Sequence, residues 1–449
     1  MCWLDSTVSF PASPNLKPPV DRAVTPIPPT ALDRPVWLRV GTLLDGMSTS
    51  PQREAHVVYN GTAILFVGSD GRLPPADILR PGQTQPDVHA PGATLLPGLI
   101  EAHAHLFLEG GELDAAKRAA FIQRPPAELL AAARGRLARL VRLGVVGVRD
   151  AGDKVGVGLA LSKLYRSGDR PLMPYVDSPG SAIHHLGRYG SFMAEPLGEH
   201  ATPRACVEAR VAVGADRIKL IPTGIINFKQ GRVTSEPQMT ADEVAQLVSA
   251  ANSFGRQTFA HASGDTGIDR VIAGGVDSVE HGFFMRDDQL AQLRDRRIAW
   301  VPTFAPVQEQ VDQADLMGWD QTVVGHLRGI LDRHAATLVK AHAMGVLIVA
   351  GSDAGSVGVA HGFGLLREME LMERACLSPL AVINSATGVG AGRFAYRENF
   401  GRIAPGCLSR FIITRHDPLA TVANLRRPRT IVFDGGVYEA DDLAEASGL

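Results

Sequence analysis

Two histidines with a single residue between them follow an apolar stretch that has the character of a β-strand. The stretch runs Thr94-Leu-Leu-Pro-Gly-Leu-Ile-Glu-Ala-His103-Ala-His105. Residues two apart in an extended strand point to the same face, so the imidazoles of His103 and His105 can bind one metal ion from one side. A single pair at this spacing is weak evidence, because it arises often by chance.

Other strand-like stretches of the chain also end in residues that can bind a metal ion. In a barrel of parallel strands, chemistry takes place at the carboxyl ends of the strands. The residues found at or just after these ends are His103, His105, Lys219, His261, His281 and Asp353. Any one of these histidines alone is better explained as a hydrogen-bonded structural residue. Their occurrence together at one face predicts a metal site.

The mix of ligands indicates the kind of metal centre. Nitrogen and oxygen ligands suit zinc first, with manganese, cobalt or iron as alternatives. One tetrahedral ion with an open position needs fewer ligands than this set supplies. We therefore predict two divalent ions about 3.5–4 Å apart with a hydroxide between them.

Lys219 needs a separate explanation, because an ammonium group cannot bind a metal ion. Its pKa should fall near two divalent cations, and the neutral amine can then add CO2 to become a carbamate. The carbamate is an anionic group that can bridge two ions. The alternative is an interior lysine paired with an acid such as Asp150, at the end of the second strand. We favour the carbamate.

Asp353 lies in the segment Ala350-Gly-Ser-Asp-Ala-Gly355, whose small residues leave room for a substrate. A carboxylate beside a bridging hydroxide can take its proton and pass it to a leaving group. Asp353 is therefore predicted to be the general acid/base as well as a metal ligand. The structural alternative is a helix N-cap.

The elements that must hold these residues alternate between strands and helices. Strand-like runs occur at 94–100, 145–149, 172–176, 217–221, 257–260, 276–280, 298–301 and 346–350. Amphipathic helical stretches between them include 125–143, 241–254 and 321–344. Eight strands alternating with helices predict an α/β fold, specifically a closed (β/α)8 TIM barrel at 94–402.

The two ends of the chain predict a second, smaller domain. Residues 36–93 and 403–440 contain short strands and turn signals such as Asn60-Gly61. We expect these strands to pair in one small β-sandwich domain. Residues 1–35 are rich in proline and predict an extended or disordered arm, and residues 441–449 form a C-terminal tail.

Composition excludes several classes of partner. The net charge is −2, with 45 basic and 47 acidic residues, which gives no indication of nucleic-acid or membrane binding. No run of 18 apolar residues and no signal-peptide pattern occur. The four cysteines are far apart and match no disulfide or CxxC pattern, so we expect a cytoplasmic protein. The expected partner is a small-molecule substrate. Association into a homo-oligomer is left open.

In combination, these segments resemble the amidohydrolase superfamily over about residues 36–440. The segments that carry the resemblance are Leu96-Pro-Gly-Leu-Ile-Glu-Ala-His-Ala-His105, Ala215-Asp-Arg-Ile-Lys-Leu-Ile-Pro-Thr-Gly224, Thr258-Phe-Ala-His-Ala-Ser-Gly264, Asp277-Ser-Val-Glu-His-Gly282, Gly351-Ser-Asp-Ala-Gly355 and Gly401-Arg-Ile-Ala-Pro-Gly406. The Ile-Lys-x-x-x-Thr-Gly and Val-Glu-His-Gly patterns are most similar to the prolidase-like, metal-dependent carboxypeptidase branch, which is related to the imidazolonepropionases.

The resemblance implies a binuclear metallohydrolase that cleaves an amide bond of a small substrate, such as a dipeptide or an N-acyl amino acid. The ligand set that it implies is divided between two ions: His103, His105 and Asp353 for one, His261 and His281 for the other, and carbamylated Lys219 as the bridge. Asp353 would also be the general acid/base.

Two loops depart from the family pattern, and one further histidine resembles it. Relatives usually have Gly-Gly-His-Gly after the third strand, where this chain has Ile183-His-His-Leu-Gly187. We expect His185 to reach the substrate carbonyl as a catalytic residue and His184 to bind substrate, with a surface histidine as the alternative. Thr223-Gly-Ile225 replaces the usual Thr-Gly-Gly and predicts an altered pocket. His361 resembles a residue near the family's pocket and is predicted to bind substrate, with a helix cap as the alternative.

Other functions share this scaffold. A deaminase typically has one metal ion and a glutamate three residues after the fifth-strand histidine, where this chain has Gly264. A lactonase, a phosphotriesterase-like enzyme or a cyclic-amide hydrolase would use the same metal site and stays open, because the loops determine the substrate. A non-catalytic scaffold would predict loss of the ligand residues, and none is missing.

Overall fold

The structure is a computed structural model that describes residues 34–167 and 172–441. Residues 1–33 of the predicted arm and residues 442–449 of the predicted tail lie outside the described residues. In chain order, the strands are β1 (Val36–Leu43), β2 (Gln52–Tyr59), β3 (Ile64–Gly68), β4 (Val88–Pro97), β5 (Leu99–Ala104), β6 (Val145–Asp150), β7 (Tyr175–Asp177), β8 (Ala182–His184), β9 (Ala194–Pro196), β10 (Ile218–Leu220), β11 (Ile226–Asn227), β12 (Arg232–Val233), β13 (Thr258–Ala262), β14 (Ser278–His281), β15 (Ala299–Val301), β16 (Arg410–Thr414), β17 (Arg429–Phe433) and β18 (Gly436–Ala440).

Several of the α-helices begin at a residue whose side chain caps the first turn. In chain order, they are α1 (Ala115–Ile122), α2 (Pro126–Arg142), α3 (Val157–Arg166), α4 (Pro203–Ala212), α5 (Ala241–Ser253), α6 (Asp265–Gly274), α7 (Asp287–Asp295), α8 (Ala305–Asp312), α9 (Gln321–Met344), α10 (Phe363–Arg374), α11 (Pro379–Ser385) and α12 (Gly388–Arg393). Helix α9, for example, starts where the Asp320 side chain accepts from the Val323 backbone N–H, and stops at Gly345 with a left-handed φ of 80°.

Strands from both ends of the described chain lie in one seven-stranded sheet, in the order β18-β17-β16-β4-β1-β2-β3. Strands β1 and β4 are parallel, and the other neighbours are antiparallel. The predicted boundary between residues 93 and 94 falls inside β4, because this strand continues to Pro97 before the chain enters β5. A β-sandwich form for these strands stays a prediction.

Strands β11 and β12 form a short antiparallel pair, and the remaining strands form two parallel sheets that position the ligand residues. One sheet has the order β5-β6-β7, and the other has the order β15-β14-β13-β10-β8-β9. Every residue of β5, β6, β13 and β14 is buried, as expected for strands that are covered on both faces. The predicted strand at 346–350 is reduced to a single bridge, between Ile348 and Trp300. The fold is therefore α/β with parallel sheets, which is consistent with a TIM-barrel-like domain.

Below the ligand residues, the core contains a buried ionic network. The guanidinium of Arg149 donates to Glu280 Oε2 at 2.7 Å, to Ser278 Oγ at 2.9 Å and to the Ala102 carbonyl at 2.6 Å. The same guanidinium lies over the ring of Phe259 at 4.6 Å. Because Arg149 is only 1% exposed, removing it would leave the Glu280 carboxylate buried without its cation.

Among the described residues, no helix is long and apolar enough to cross a membrane. Cys206 and Cys407 are buried free thiols. Cys2 lies outside the described residues, so the expectation about the cysteines stays a prediction.

The buried network predicts a large effect on stability. Arg149→Ala should lower the free energy of unfolding by about 3–5 kcal/mol, because it leaves an uncompensated buried charge. Lys340→Ala is the control, since its bond to Asp287 is exposed and such pairs contribute at most about 1 kcal/mol. Urea unfolding of both variants measures the difference. Equal losses would contradict the prediction.

Candidate metal centre

The main chain of β5 is hydrogen-bonded to the loop that carries Asp353. The Asp353 N–H donates to the His103 carbonyl at 2.7 Å, and the His105 N–H donates to the Ala354 carbonyl, also at 2.7 Å. This pairing brings Asp353 Oδ1 to 3.6 Å from His103 Nε2 and to 3.4 Å from His105 Nε2. One ligand atom from each of the three side chains lies within 4.8 Å of the others, which is a group that can hold a metal ion.

His261 and His281 stand beside this group on neighbouring parallel strands. His281 on β14 is paired with Ala262, the residue after His261 on β13. The two imidazole centroids are 4.6 Å apart, and His281 is 5.1 Å from the His103 ring. The backbone φ is 67° at His281 and 54° at Asp353. Both angles lie in the left-handed region that residues other than glycine rarely adopt.

Lys219 on β10 and Asp353 each place an unpartnered polar atom in the site. The Lys219 side chain is 1% exposed, and neither its Nζ nor Asp353 Oδ1 has a hydrogen-bond partner among the described residues. Asp150, the alternative partner for the lysine, accepts from Ser178 Oγ at 2.8 Å instead. Burial lowers the pKa of Lys219 to about 8 and raises that of Asp353 to about 7. Orphaned buried polar atoms are costly and therefore indicate a bound group.

Backbone carbonyls fix which nitrogen of two histidines is free. His105 Nδ1 lies 3.2 Å from the Gly152 carbonyl, and His261 Nε2 lies 3.2 Å from the Gly224 carbonyl. A carbonyl oxygen can only accept, so each of these nitrogens carries the proton in the neutral ring. His105 thus presents the lone pair of Nε2, and His261 presents that of Nδ1.

Side chains orient the other two histidines. The Thr303 hydroxyl donates to the Pro302 carbonyl at 2.8 Å, so it accepts from His281 Nδ1 at 2.7 Å. His103 Nδ1 lies 2.5 Å from Glu280 Oε2, the carboxylate that Arg149 also binds. Both histidines therefore present Nε2, and carboxylates or hydroxyls in this position orient metal-binding imidazoles.

The histidines are held in their neutral form. Burial is the largest cause in each case, and it lowers the pKa of His105 to about 3 and that of His261 to about 4. The pKa values of His103 and His281 lie well below the usual value for the same reason. Neutral imidazoles have the free lone pairs that metal binding requires.

A cavity of about 380 Å³ opens above the site. All of the predicted ligand residues line it: His103, His105, Lys219, His261, His281 and Asp353. Its walls are largely apolar and include Leu108, Ile122, Phe192, Ile225, Phe228 and Val307. The cavity therefore combines a polar floor with walls that suit an apolar ligand.

The three other predicted site residues do not line this cavity. His185 Nε2 lies 3.2 Å from Glu243 Oε1, at the start of α5. His184 is buried, and its Nδ1 has no hydrogen-bond partner in the described part of the chain. His361 Nε2 lies 3.1 Å from the His105 carbonyl and so braces the ligand strand. The roles predicted for His184, His185 and His361 toward substrate stay predictions.

Glu280 and Thr303 are the orienting residues that the sequence reasoning missed. Glu280 is adjacent to His281 within the Val-Glu-His-Gly segment, but residues next to each other in a strand are expected to point to opposite faces. The left-handed backbone at His281 breaks this alternation, so both residues contact His103. Thr303 follows β15 by two residues, and the strand-end rule could have found it.

A family model and a relative each match most of the chain. The family model described as the Amidohydrolase family matches residues 94–436. An uncharacterized protein of Mycobacterium tuberculosis is 25% identical over 389 residues, which cover 84% of this chain and 92% of that protein.

Solved structures with a similar fold also match most of the chain. A Xaa-Pro dipeptidase with methionine bound in its active site matches with a TM-score of 0.74 at 25% identity, covering 90% of this chain and 100% of that one. Ochratoxinase of A. niger matches with a TM-score of 0.74 at 22% identity, covering 91% and 96%, which shows the fold alone. Because the family model covers more than half of the chain, the resemblance is confirmed: the chain belongs to the amidohydrolase family and is a hydrolase that acts on carbon–nitrogen bonds.

Proposed function

We propose that this enzyme is a binuclear metal-dependent amidohydrolase that cleaves an amide bond of a small substrate, such as a dipeptide or an N-acyl amino acid. The observation that carries the proposal is the set of free donor atoms at the floor of one cavity. Four neutral histidines each present a lone pair there, beside the unpartnered Lys219 Nζ and Asp353 Oδ1. Such a donor set suits zinc, with manganese, cobalt or iron as alternatives.

The ligands divide into two groups by position. His103, His105 and Asp353 would hold one ion, because their ligand atoms lie within 4.8 Å of one another. His261 and His281 would hold the second. Lys219, as a carbamate formed with CO2, would supply the bridge, since an ammonium group cannot ligate and its Nζ has no hydrogen-bond partner among the described residues. When bound, two such ions supply a hydroxide nucleophile and polarise the substrate carbonyl.

Asp353 would transfer the proton. Its Oδ2 accepts from Ser356 Oγ at 2.8 Å, which holds the carboxylate in one orientation, while Oδ1 faces the ligand nitrogens of His103 and His105. Amide cleavage requires that the nitrogen of the leaving group gain a proton. A carboxylate within reach of the nucleophile can take its proton and deliver it to that nitrogen.

The cavity supports a substrate with an apolar group. About 380 Å³ lies within the range of small-molecule sites, and the walls around it are largely apolar. The Xaa-Pro dipeptidase and the ochratoxinase that this chain resembles are named for small substrates, in agreement with this class.

The proposal includes a closed (β/α)8 barrel. The bridges from Trp300 to Ile348 and from Ala104 to Ala354 support it, because they place residues 346–354 between β15 and β5 as an eighth strand would lie.

Metal analysis of the purified protein tests the proposal. We expect about two ions per chain, together with hydrolysis of dipeptides or N-acyl amino acids that stops on chelation and returns when zinc is added. One ion per chain would contradict the binuclear centre. Turnover of lactones or phosphotriesters without turnover of any amide would favour the alternative hydrolases, and a folded chain that cannot take up metal would favour a scaffold.

Asp353→Asn tests proton transfer. The substitution keeps the size of the side chain but removes its basicity, so turnover should fall by about 10²–10⁴-fold. Asp287→Asn, in an exposed ion pair, is the matched control and should keep wild-type turnover. Steady-state kinetics at equal metal content separates the loss of proton transfer from a loss of bound metal. If Asp353→Asn works within a few-fold of wild type, Asp353 does not carry the proton.

Lys219→Ala tests the bridge. The variant should lose bound metal and turnover, because the cavity left by the side chain has no anion between the two ligand groups. Short carboxylic acids added with metal should restore part of both by occupying that space. Lys340→Ala serves as the surface control. Full activity of Lys219→Ala without an added acid would show that no carbamate is needed.

A further inference from the structure

One cation stands in the apolar wall of the cavity. Among the described residues that line it, Lys219 and Arg118 are the ones with cationic side chains. Lys219 belongs to the floor, where the proposed function assigns it to the metal centre. Arg118, on α1, is therefore the positive group that faces the substrate space.

The guanidinium of Arg118 is held rigidly by main-chain oxygens. Its Nη2 donates to the Gly355 carbonyl at 2.8 Å, and its Nη1 donates to the Glu109 carbonyl at 2.9 Å. Longer bonds from Nη1 reach the carbonyls of Glu112 and Ser356. These contacts fix the cation between the loop after β5 and the loop after Asp353. A cation that is already fixed loses little conformational entropy when it binds an anion.

Part of this guanidinium remains available. Its Nε donates no hydrogen bond within the described part of the chain, and Nη2 has a second N–H beyond the one given to Gly355. Nε and Nη2 form the edge that binds a carboxylate through two parallel hydrogen bonds. Main-chain carbonyls accept from Nη1 and from one N–H of Nη2, and they neutralise none of the charge.

Three acids lie near enough to act on this cation through their charges: Glu112, Asp353 and Glu109. Asp353 belongs to the proposed metal centre. Glu109 also lines the cavity but is exposed, so water screens its charge. Glu112 is bound to Lys117 at 3.7 Å. Neither glutamate carboxylate is hydrogen-bonded to Arg118, which contacts only the carbonyl oxygens of these residues.

We propose that Arg118 binds the carboxylate of the substrate and makes the enzyme selective for amides that carry a free acid. The inference rests on the proposed amide hydrolysis and limits its substrates to amides with a free carboxylate. Gly355 lies two residues after Asp353, so the bound carboxylate would be positioned relative to the proton-transfer group by one short segment. The rest of the substrate would face the apolar wall. A dipeptide or an N-acyl amino acid with a large apolar side group meets both conditions.

The test compares matched substrates. Each N-acyl amino acid is paired with its primary amide, which has the same shape and no charge. Arg118→Gln removes the cation, Arg118→Lys keeps the charge but not the two-pronged edge, and Lys340→Gln removes an exposed cation that does not line the cavity, as a control. Thermal unfolding verifies that each variant folds.

We expect Arg118→Gln to lower kcat/KM for the acids by about 10–100-fold, mainly through KM, since a hydrogen bond to a charged group contributes about 1.5–3 kcal/mol. The primary amides should change by less than threefold, Arg118→Lys should be intermediate, and Lys340→Gln should match wild type. An equal loss on acids and amides would overturn the inference and leave amide hydrolysis standing, because Arg118 would then be a loop brace alone.

Binding measured without turnover separates the inference from the proposed function. An N-acyl amino acid should raise the Tm of the metal-loaded wild type and not that of Arg118→Gln, whereas its primary amide should affect both proteins alike. If no substrate pair is hydrolysed but this difference appears, the proposed function fails and the carboxylate site stands. An equal Tm shift in both proteins would overturn the carboxylate site.

Discussion

Two main-chain hydrogen bonds between β5 and the loop of Asp353 determine how the site is built. Through them, His103 and His105 meet a carboxylate from a segment about 250 positions away along the chain. Glu101 reinforces the same contact, because its carboxylate accepts from the backbone N–H groups of both His103 and Ser352. The main-chain hydrogen bonds therefore determine the distances between the side chains of His103, His105 and Asp353.

The second constraint is the cost of burying polar groups. The four histidines avoid it by staying neutral, and each donates its remaining N–H to a carbonyl, a hydroxyl or a carboxylate. Glu280 is hydrogen-bonded to Arg149, and Arg149 is in turn packed between the rings of Phe259 and Phe394. In the part of the chain that the structure describes, Lys219 Nζ and Asp353 Oδ1 are left without such partners. The polar atoms of the floor are thus satisfied wherever the chain itself can satisfy them, and the exceptions are the atoms that a bound ion would satisfy.

Much of the candidate site could be predicted from the sequence, because strand geometry is regular. The two-residue spacing of His103 and His105 implies a shared face, and the carboxyl ends of parallel strands bring His261, His281 and Lys219 to the same place. Local patterns also predicted the limits of α9, where Asp320 and Gly345 cap the helix. These inferences depend only on the repeat of the backbone.

Sequence-based prediction misses residues where the backbone departs from the regular geometry of strands and helices. Glu280 was missed because the positive φ at His281 is not visible in the sequence. The role of His185 stays a prediction, because this residue lies in a loop, where the direction of a side chain depends on tertiary neighbours such as Glu243. The apolar run at 94–100 is divided between two sheets, since Gly98 lets the chain leave one strand and start another. Arg118 gave no sequence signal, because its role depends on carbonyl groups of two distant loops.

The walls of the cavity come from different parts of the chain than its floor. Ile122 belongs to α1, Ile225 and Phe228 flank the short hairpin of β11 and β12, and Val307 belongs to α8. None of these segments contributes a ligand from the floor. Mutations in them can reshape the pocket without disturbing the reactive groups, so this scaffold can evolve toward new substrates one segment at a time while its chemistry is preserved.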